Sequence, residues 1–383
     1  MLLNKAQALG AKLAAERPSG SSVFSLLFVL PVNGVSGGAN SVIQESMGLS
    51  RLGIDANIAT VGSRYNEFLA NYPELQNSRV KLLEYSDINA LISHISNHDV
   101  VCATTNASVY AVKECIDRLP DEGRPRIAYY VQDYEPLFYP VDSKEWIRAT
   151  SSYTAIPDAT LFAKSKWIRN IVYENCGVQV AAVSPSVDHD IFYPDFDRRP
   201  SHLAVTAMLR PRTPRRAPFR TARVMEYLSE IYGDAIDLKV FGSDEEALKT
   251  AGISLSPKID RLGIQRRSEV PHILRTSDLF LDLSDYQAFG RTALESMACG
   301  CIPIVPLLGG AHDFAIHGYN AYLVDTRADD CILGAVNEFL GLGADARMAM
   351  RMNALETAAQ YTVRKAVLSQ VRLFQSLLKS ANQ

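Results

Sequence analysis

Six arginines, Arg210, Arg212, Arg215, Arg216, Arg220 and Arg223, crowd the stretch "MLRPRTPRRAPFRTAR" of a chain whose formal net charge is -3. Arginine forks match phosphate oxygens in pairs, so the stretch reads as a local anion site, with a solvated basic face as the alternative. No aromatic stacking pattern interleaves them, and the sequence pI of about 6.2 gives no global field for nucleic acid. A second stretch, "VNGVSGGANSV", places Gly34, Gly37 and Gly38 before a helix expected to begin near Ala39. Glycines let a backbone approach a phosphate, and a helix start offers free N–H groups. A nicotinamide site would also need an acidic residue at the end of the next strand, which instead ends "TVGSR". No cofactor is expected.

Two acidic stretches complete the chemistry. Glu295 is a lone carboxylate in "FGRTALESMACGCIPIVPLLGG". It could accept hydrogen bonds from two vicinal ribose hydroxyls, or it could simply stabilise the first turn of its helix. In "YYVQDYEPLFYP", Asp133 and Glu135 end an apolar strand beside Tyr130, Tyr134, Phe138 and Tyr139. Carboxylates among aromatics suit a sugar, which pairs polar edges with apolar faces; an aromatic run of core is the alternative.

The elements that must position these residues follow from periodicity. Short apolar runs ("VFSLLFVLP", "DANIATVG", "HDVVCATT", "RIAYYVQD", "ATLFAKS", "VQVAAVSPSV") alternate with helical patterns, and the rhythm restarts at "HLAVTAML", "DLKVFGS", "DLFLDLS", "CIPIVPL" and "AYLVDT". The expected class is α/β, with two doubly wound parallel-sheet domains. A length of 383 residues agrees with two cores and a cleft between them. The boundary is expected near residue 195, where "SPSVDHDIFYPDFDRRPS" interrupts the alternation. In such sheets ligands sit beyond the carboxyl ends of strands, which is where all four chemical stretches lie.

Hydrophobic residues at 47% and charged residues at 21% describe a globular chain. The apolar run "VFSLLFVLPV" is about half of what a membrane span needs, and a secretory leader is not expected. Of six cysteines only Cys299 and Cys301 are close, without the partners of a zinc site, so all read as buried free thiols of a reduced, cytosolic chain.

Taken in order, these stretches resemble the retaining glycosyltransferases of family 4, with the GT-B architecture of two Rossmann-like domains facing across a cleft. "SPSVDHDIFYP" is similar to the family's interdomain "NGVD...F.P", and "HDFAIHGYNAYLVDT" to its "EIV.DG.NG.LV". Between them, "SEVPHILRTSDLFLDLSDYQAFGRTALESMACGCIPIV" is similar to "ELP..Y..ADVFVLPS..EGFG...LEAMA.G.PVV". The resemblance implies an acceptor-side domain over 1–195, a nucleotide-sugar domain over 196–361, and a helix over 362–383 that returns to the first domain. It places Glu295 on the donor ribose, as the second glutamate of an E-x7-E motif whose first position holds Gln287. It places Arg210, with Arg215 or Arg216 for the usual lysine, on the donor diphosphate. Gly37, Gly38, Gly242, Phe289, Gly290 and Arg291 complete the implied donor site, and Asp133, Tyr134 and Glu135 the acceptor side.

Two departures bear on sugar handling: Gln287 cannot carry charge, and the family's N-domain active-site histidine is missing, with His312 the sole histidine in a loop that could face the cleft. The implied reaction moves a sugar from a nucleotide diphosphate to a hydroxyl of a glycan or lipid-linked saccharide, with retention. The nearest branch uses dTDP-β-L-rhamnose in bacterial surface-polysaccharide assembly. No metal is expected, because arginine can supply the charge of a divalent ion. The implied location is cytoplasmic. A peripheral contact with the inner face of the membrane is left open by the N-terminal stretch "LNKAQALGAKLAAER". The alternatives are a GT-B nucleotide-sugar epimerase and a catalytically weak sugar-nucleotide-binding subunit.

Overall fold

A computed structural model of the chain describes residues 24–31, 36–62, 65–197 and 202–379. Gly34 and the N-terminal stretch over 3–17 lie outside the described residues. On β1 (Ser25–Val29), Leu26 and Phe28 enter one core while Leu27 and Val29 enter another on the opposite face. A strand buried on both faces is what a parallel sheet covered by helices demands. The first sheet also contains β2 (Asp55–Val61), β3 (Leu82–Tyr85), β4 (Val100–Ala103), β5 (Arg126–Tyr130), β6 (Thr160–Ala163) and β7 (Ala181–Ala182). Its order is β3-β2-β1-β4-β5-β6-β7, with parallel pairing throughout.

The second sheet contains β8 (Leu203–Met208), β9 (Ile236–Phe241), β10 (Ile259–Arg261), β11 (Leu279–Leu281), β12 (Ile302–Pro306) and β13 (Tyr322–Val324). It runs β10-β9-β8-β11-β12-β13, again parallel. The two doubly wound sheets form the GT-B architecture. Sequence periodicity did not reveal β3 and β10. Both are short edge strands with only one fully buried residue each, so neither carries an apolar run.

The chain crosses between the domains twice, side by side. Val187 N donates to Tyr361 O at 2.8 Å, and Val187 and Phe192 already pack in the second core. The helix Val363–Lys379 then lies on the first core, where the Phe374 ring meets those of Phe24 at 6.2 Å and Phe162 at 5.7 Å. Four cysteines are buried as expected of structural thiols, but Cys176 is half-buried and Cys331 exposed.

Candidate functional site

In each sheet the order reverses once, between β1 and β4 in the first and between β8 and β11 in the second. The strand ends at these switch points face each other across an interdomain cavity of about 980 Å³. This is where an open α/β sheet presents its ligand.

Leaving β8, Arg210, Arg212, Arg215 and Arg216 line the cavity. Arg220 and Arg223 do not share that role. Arg220 donates to Asp285 at 2.9 Å and to Leu283 O at 3.0 Å, while Arg223 forms a bidentate pair with Asp329 at 2.8 Å. Burial pushes the Arg210 and Arg215 guanidiniums below the ordinary arginine range. Arg216 adds repulsion to both. Partly desolvated cations that repel one another form a site that an anion relieves. Arg215 also reaches the opposite wall, lying over the Phe138 ring at 4.0 Å and 3.9 Å from Asp133.

The glycine stretch meets the same cavity. The helix Gly37–Arg51 begins two residues earlier than expected, capped by Ser36, whose Oγ accepts from Ala39 N at 3.1 Å. A Cβ on Gly38 would come within 3.0 Å of Gln132 Oε1, whereas one on Gly37 would meet nothing within 4 Å. Gly242 lines the cavity at the end of β9, and Gly290, at a φ of +92°, turns the chain into the helix Arg291–Ala298. Phe289 lines the cavity and packs on Phe314.

Glu295 belongs to the second turn of that helix, not the first, so dipole stabilisation at a helix start does not explain it. It is 7% exposed and its Oε1 accepts from Arg291 Nε at 2.7 Å. Among the described residues Oε2 has no hydrogen-bond partner. Arg291 uses its remaining nitrogens on the facing domain, donating to Gly37 O at 3.2 Å, Ser41 Oγ at 3.1 Å and Gln44 Oε1 at 3.0 Å. Arg291 therefore clamps the two walls together beside the cavity. Gln287 also lines the cavity, with its amide turned onto Asp282.

On the first domain, Asp133 and Glu135 line the cavity beyond β5. Desolvation raises the Asp133 carboxyl above its ordinary range, opposed by Arg215 and Arg216. Desolvation likewise pushes Glu135 up to about 7, against hydrogen bonds from Asn106 N at 2.9 Å and from the Asn106 amide. The expectation for Tyr134 is corrected: it turns away from the cavity, 5% exposed, and stacks on Tyr153 at 5.7 Å in the core. Its ring belongs to the first domain's core together with those of Tyr129 and Tyr153. His312 likewise lies outside the cavity lining, bound to Leu307 O at 2.7 Å.

Comparison with known proteins bears on this geometry. Residues 213–357 match the family described as Glycosyl transferases group 1. They form a group 1 glycosyl transferase domain. A 92-residue stretch is 32% identical to mannosylfructose-phosphate synthase of Agrobacterium fabrum (strain C58 / ATCC 33970). That match covers 24% of this chain and spans only 20% of the relative's length. The fold resembles Anabaena HepE, solved with UDP and glucose, at a TM-score of 0.74 and 15% identity over 92% of this chain and 100% of that one. It also resembles sucrose-phosphate synthase from Thermosynechococcus elongatus, at a TM-score of 0.73 and 13% identity over 93% and 100% of the two chains.

Within the glycosyl transferase domain, sequence reasoning missed Asp282, although an acid directly after the apolar run "LFL" was a signal. On the facing wall it missed Lys164, which follows β6, lines the cavity and pairs with the fully buried Glu45 at 2.5 Å. Among the described residues no three His, Cys, Asp or Glu are grouped to hold a metal, and no helix is long and apolar enough to cross a membrane.

Proposed function

We propose that this protein is a retaining glycosyltransferase of family 4, moving a sugar from a nucleotide diphosphate to a hydroxyl of a glycan or lipid-linked acceptor. The observation that carries this reading is the meeting, at one switch point, of partly desolvated arginines with a carboxylate that has an unoccupied oxygen. Arg210, Arg215 and Arg216 take the diphosphate, and Glu295 takes the ribose. As the bond from the anomeric carbon to the β-phosphate oxygen breaks, charge grows on the leaving group, so these arginines favour the transition state over the ground state. The acceptor oxygen bonds to the anomeric carbon from the same face. Its proton passes to the departing phosphate oxygen, which needs neither a protein base nor a metal. Asp133 and Glu135 orient the acceptor.

The donor we infer is dTDP-β-L-rhamnose, used on the cytoplasmic side in bacterial surface-polysaccharide assembly; the stretches "YYVQDYEPLFYP" and "RPRTPRRAP" support this choice. The test is a proton NMR time course with dTDP-β-L-rhamnose or UDP-glucose, with and without saccharide acceptors and with a chelator present. Acceptor-dependent consumption giving a product of retained configuration is expected. Rapid turnover of donor alone would point to an epimerase, and binding without turnover to a sugar-nucleotide-binding subunit. Consumption of UDP-glucose alone of the two donors would overturn the rhamnose assignment.

A further inference from the structure

One buried carboxylate at the switch point remains unexplained by diphosphate or ribose. Asp282 directly follows β11, is 8% exposed and lines the cavity. Its Oδ1 accepts from Ser284 Oγ at 2.5 Å and Ser284 N at 3.3 Å, and its Oδ2 accepts from Gln287 Nε2. The same Nε2 donates to Ser284 Oγ at 3.2 Å. The backbone of Gln287 is held as well: its N donates to Leu308 O at 3.3 Å and its O accepts from Gly310 N at 2.8 Å. Both ends of this residue are fixed before any ligand arrives.

An amide has two unlike ends, and here the donor end is committed. Among the described residues Gln287 Oε1 has no hydrogen-bond partner, so the side chain can meet a ligand only as a neutral acceptor. A hydroxyl fits that end; a second acceptor does not. The charge that a glutamate would carry lies instead on Asp282, close enough to Arg210 to act on it electrostatically.

We propose that Asp282 is a positioning residue that orients the Gln287 amide, so that Oε1 receives a hydroxyl of the donor's sugar and helps to select that sugar. This inference rests on the glycosyltransferase reading above. The functional unit is the carboxylate–amide pair, and its two members can exchange places. A carboxylate at both positions would set two anions at hydrogen-bonding distance, and one would have to hold a proton to remain there.

The test uses the full chain as wild type, Q287E, D282N and the exchanged D282N/Q287E. Affinities for UDP, dTDP, UDP-glucose and dTDP-β-L-rhamnose are measured by calorimetry between pH 5.5 and 8.5, alongside ligand-free melting temperatures. Q287E is expected to weaken sugar-nucleotide binding by ~10- to 100-fold at pH 8 while changing the nucleotides alone by less than about twofold, since only the sugar meets residue 287. Its binding and its melting temperature should both improve as pH falls. The exchanged variant should recover most of the loss and show no such pH dependence, which a merely structural role would not produce. Sugar-nucleotide binding by Q287E equal to wild type, or an exchanged variant no better than Q287E, overturns this inference while nucleotide binding keeps the broader reading intact. Failure of every nucleotide to bind the wild type overturns both.

Discussion

The two walls of the cleft share one sheet plan and carry opposite charge. From the second domain, Arg210, Arg212, Arg215 and Arg216 enter the cavity from a single strand exit. From the first domain, the described lining offers the carboxylates Asp133 and Glu135 and one cation, Lys164. That cation is already paired, with Glu45 at 2.5 Å, and burial lowers its ammonium below the ordinary lysine range. The difference teaches which half of a reaction each wall can take. A diphosphate gains from the arginine wall and is repelled by the acidic one, so the acidic wall suits a neutral, hydroxyl-rich acceptor.

The largest effect should come from removing charge on the arginine wall. Arg210→Ala should lower kcat/KM by ~100-fold or more if, as proposed, the lost group stabilises the leaving diphosphate. The same substitution should leave acceptor KM nearly unchanged. A loss in acceptor KM alone would break the division between the walls.

A stability measurement sharpens the other side. Glu45 is fully buried and also accepts from Gln370 Nε2 at 2.5 Å, tying the helix Val363–Lys379 to the first domain. Glu45→Gln leaves Lys164 buried without a counter-charge and should cost about 3 kcal/mol in urea unfolding. An unchanged midpoint would mean that Lys164 is not silenced by this pair.

The pH dependence of the acidic wall has a definite sign. Glu135 rises from 4.5 to about 7, chiefly by desolvation, so the folded chain holds that proton more tightly than the unfolded chain. Its contribution is fully present below pH 4.5 and is lost as pH rises through 7. Glu135→Gln should therefore remove a decline on the order of 2 kcal/mol between pH 5 and pH 8, read from urea curves at the two values. A wild-type slope that survives in the variant would assign the decline elsewhere, with Asp133 the next candidate of the same sign. The smallest effect belongs to Tyr134→Phe, expected to change acceptor KM by less than about twofold because the ring packs in the core.

Much of this division was legible before any coordinates. The arginine run, the acidic pair at 133 and 135 and the parallel-sheet rhythm depend on local sequence, and local sequence carried them. Tyr134 misled because an aromatic beside a cleft acid looks the same in sequence whether it faces ligand or core. Glu295 falls in the second turn, not the first, because its helix begins at Arg291, one residue before "TALESMACG". The commitments of Arg291 to Gly37, Ser41 and Gln44 join residues about 250 positions apart, which no periodicity reports. Asp282 was hidden for a related reason: its meaning lies in the Gln287 amide that it holds.

The most direct measurement is a calorimetric titration of the metal-free protein with UDP and dTDP, in chelator at fixed salt, on wild type and Arg210→Ala. Saturable binding of a nucleoside diphosphate to the wild type, lost in the variant, is the result expected if the β8 exit seats the donor. Absence of binding, or binding that Arg210→Ala leaves unchanged, would contradict that assignment and return the arginine wall to an unexplained cluster of charge.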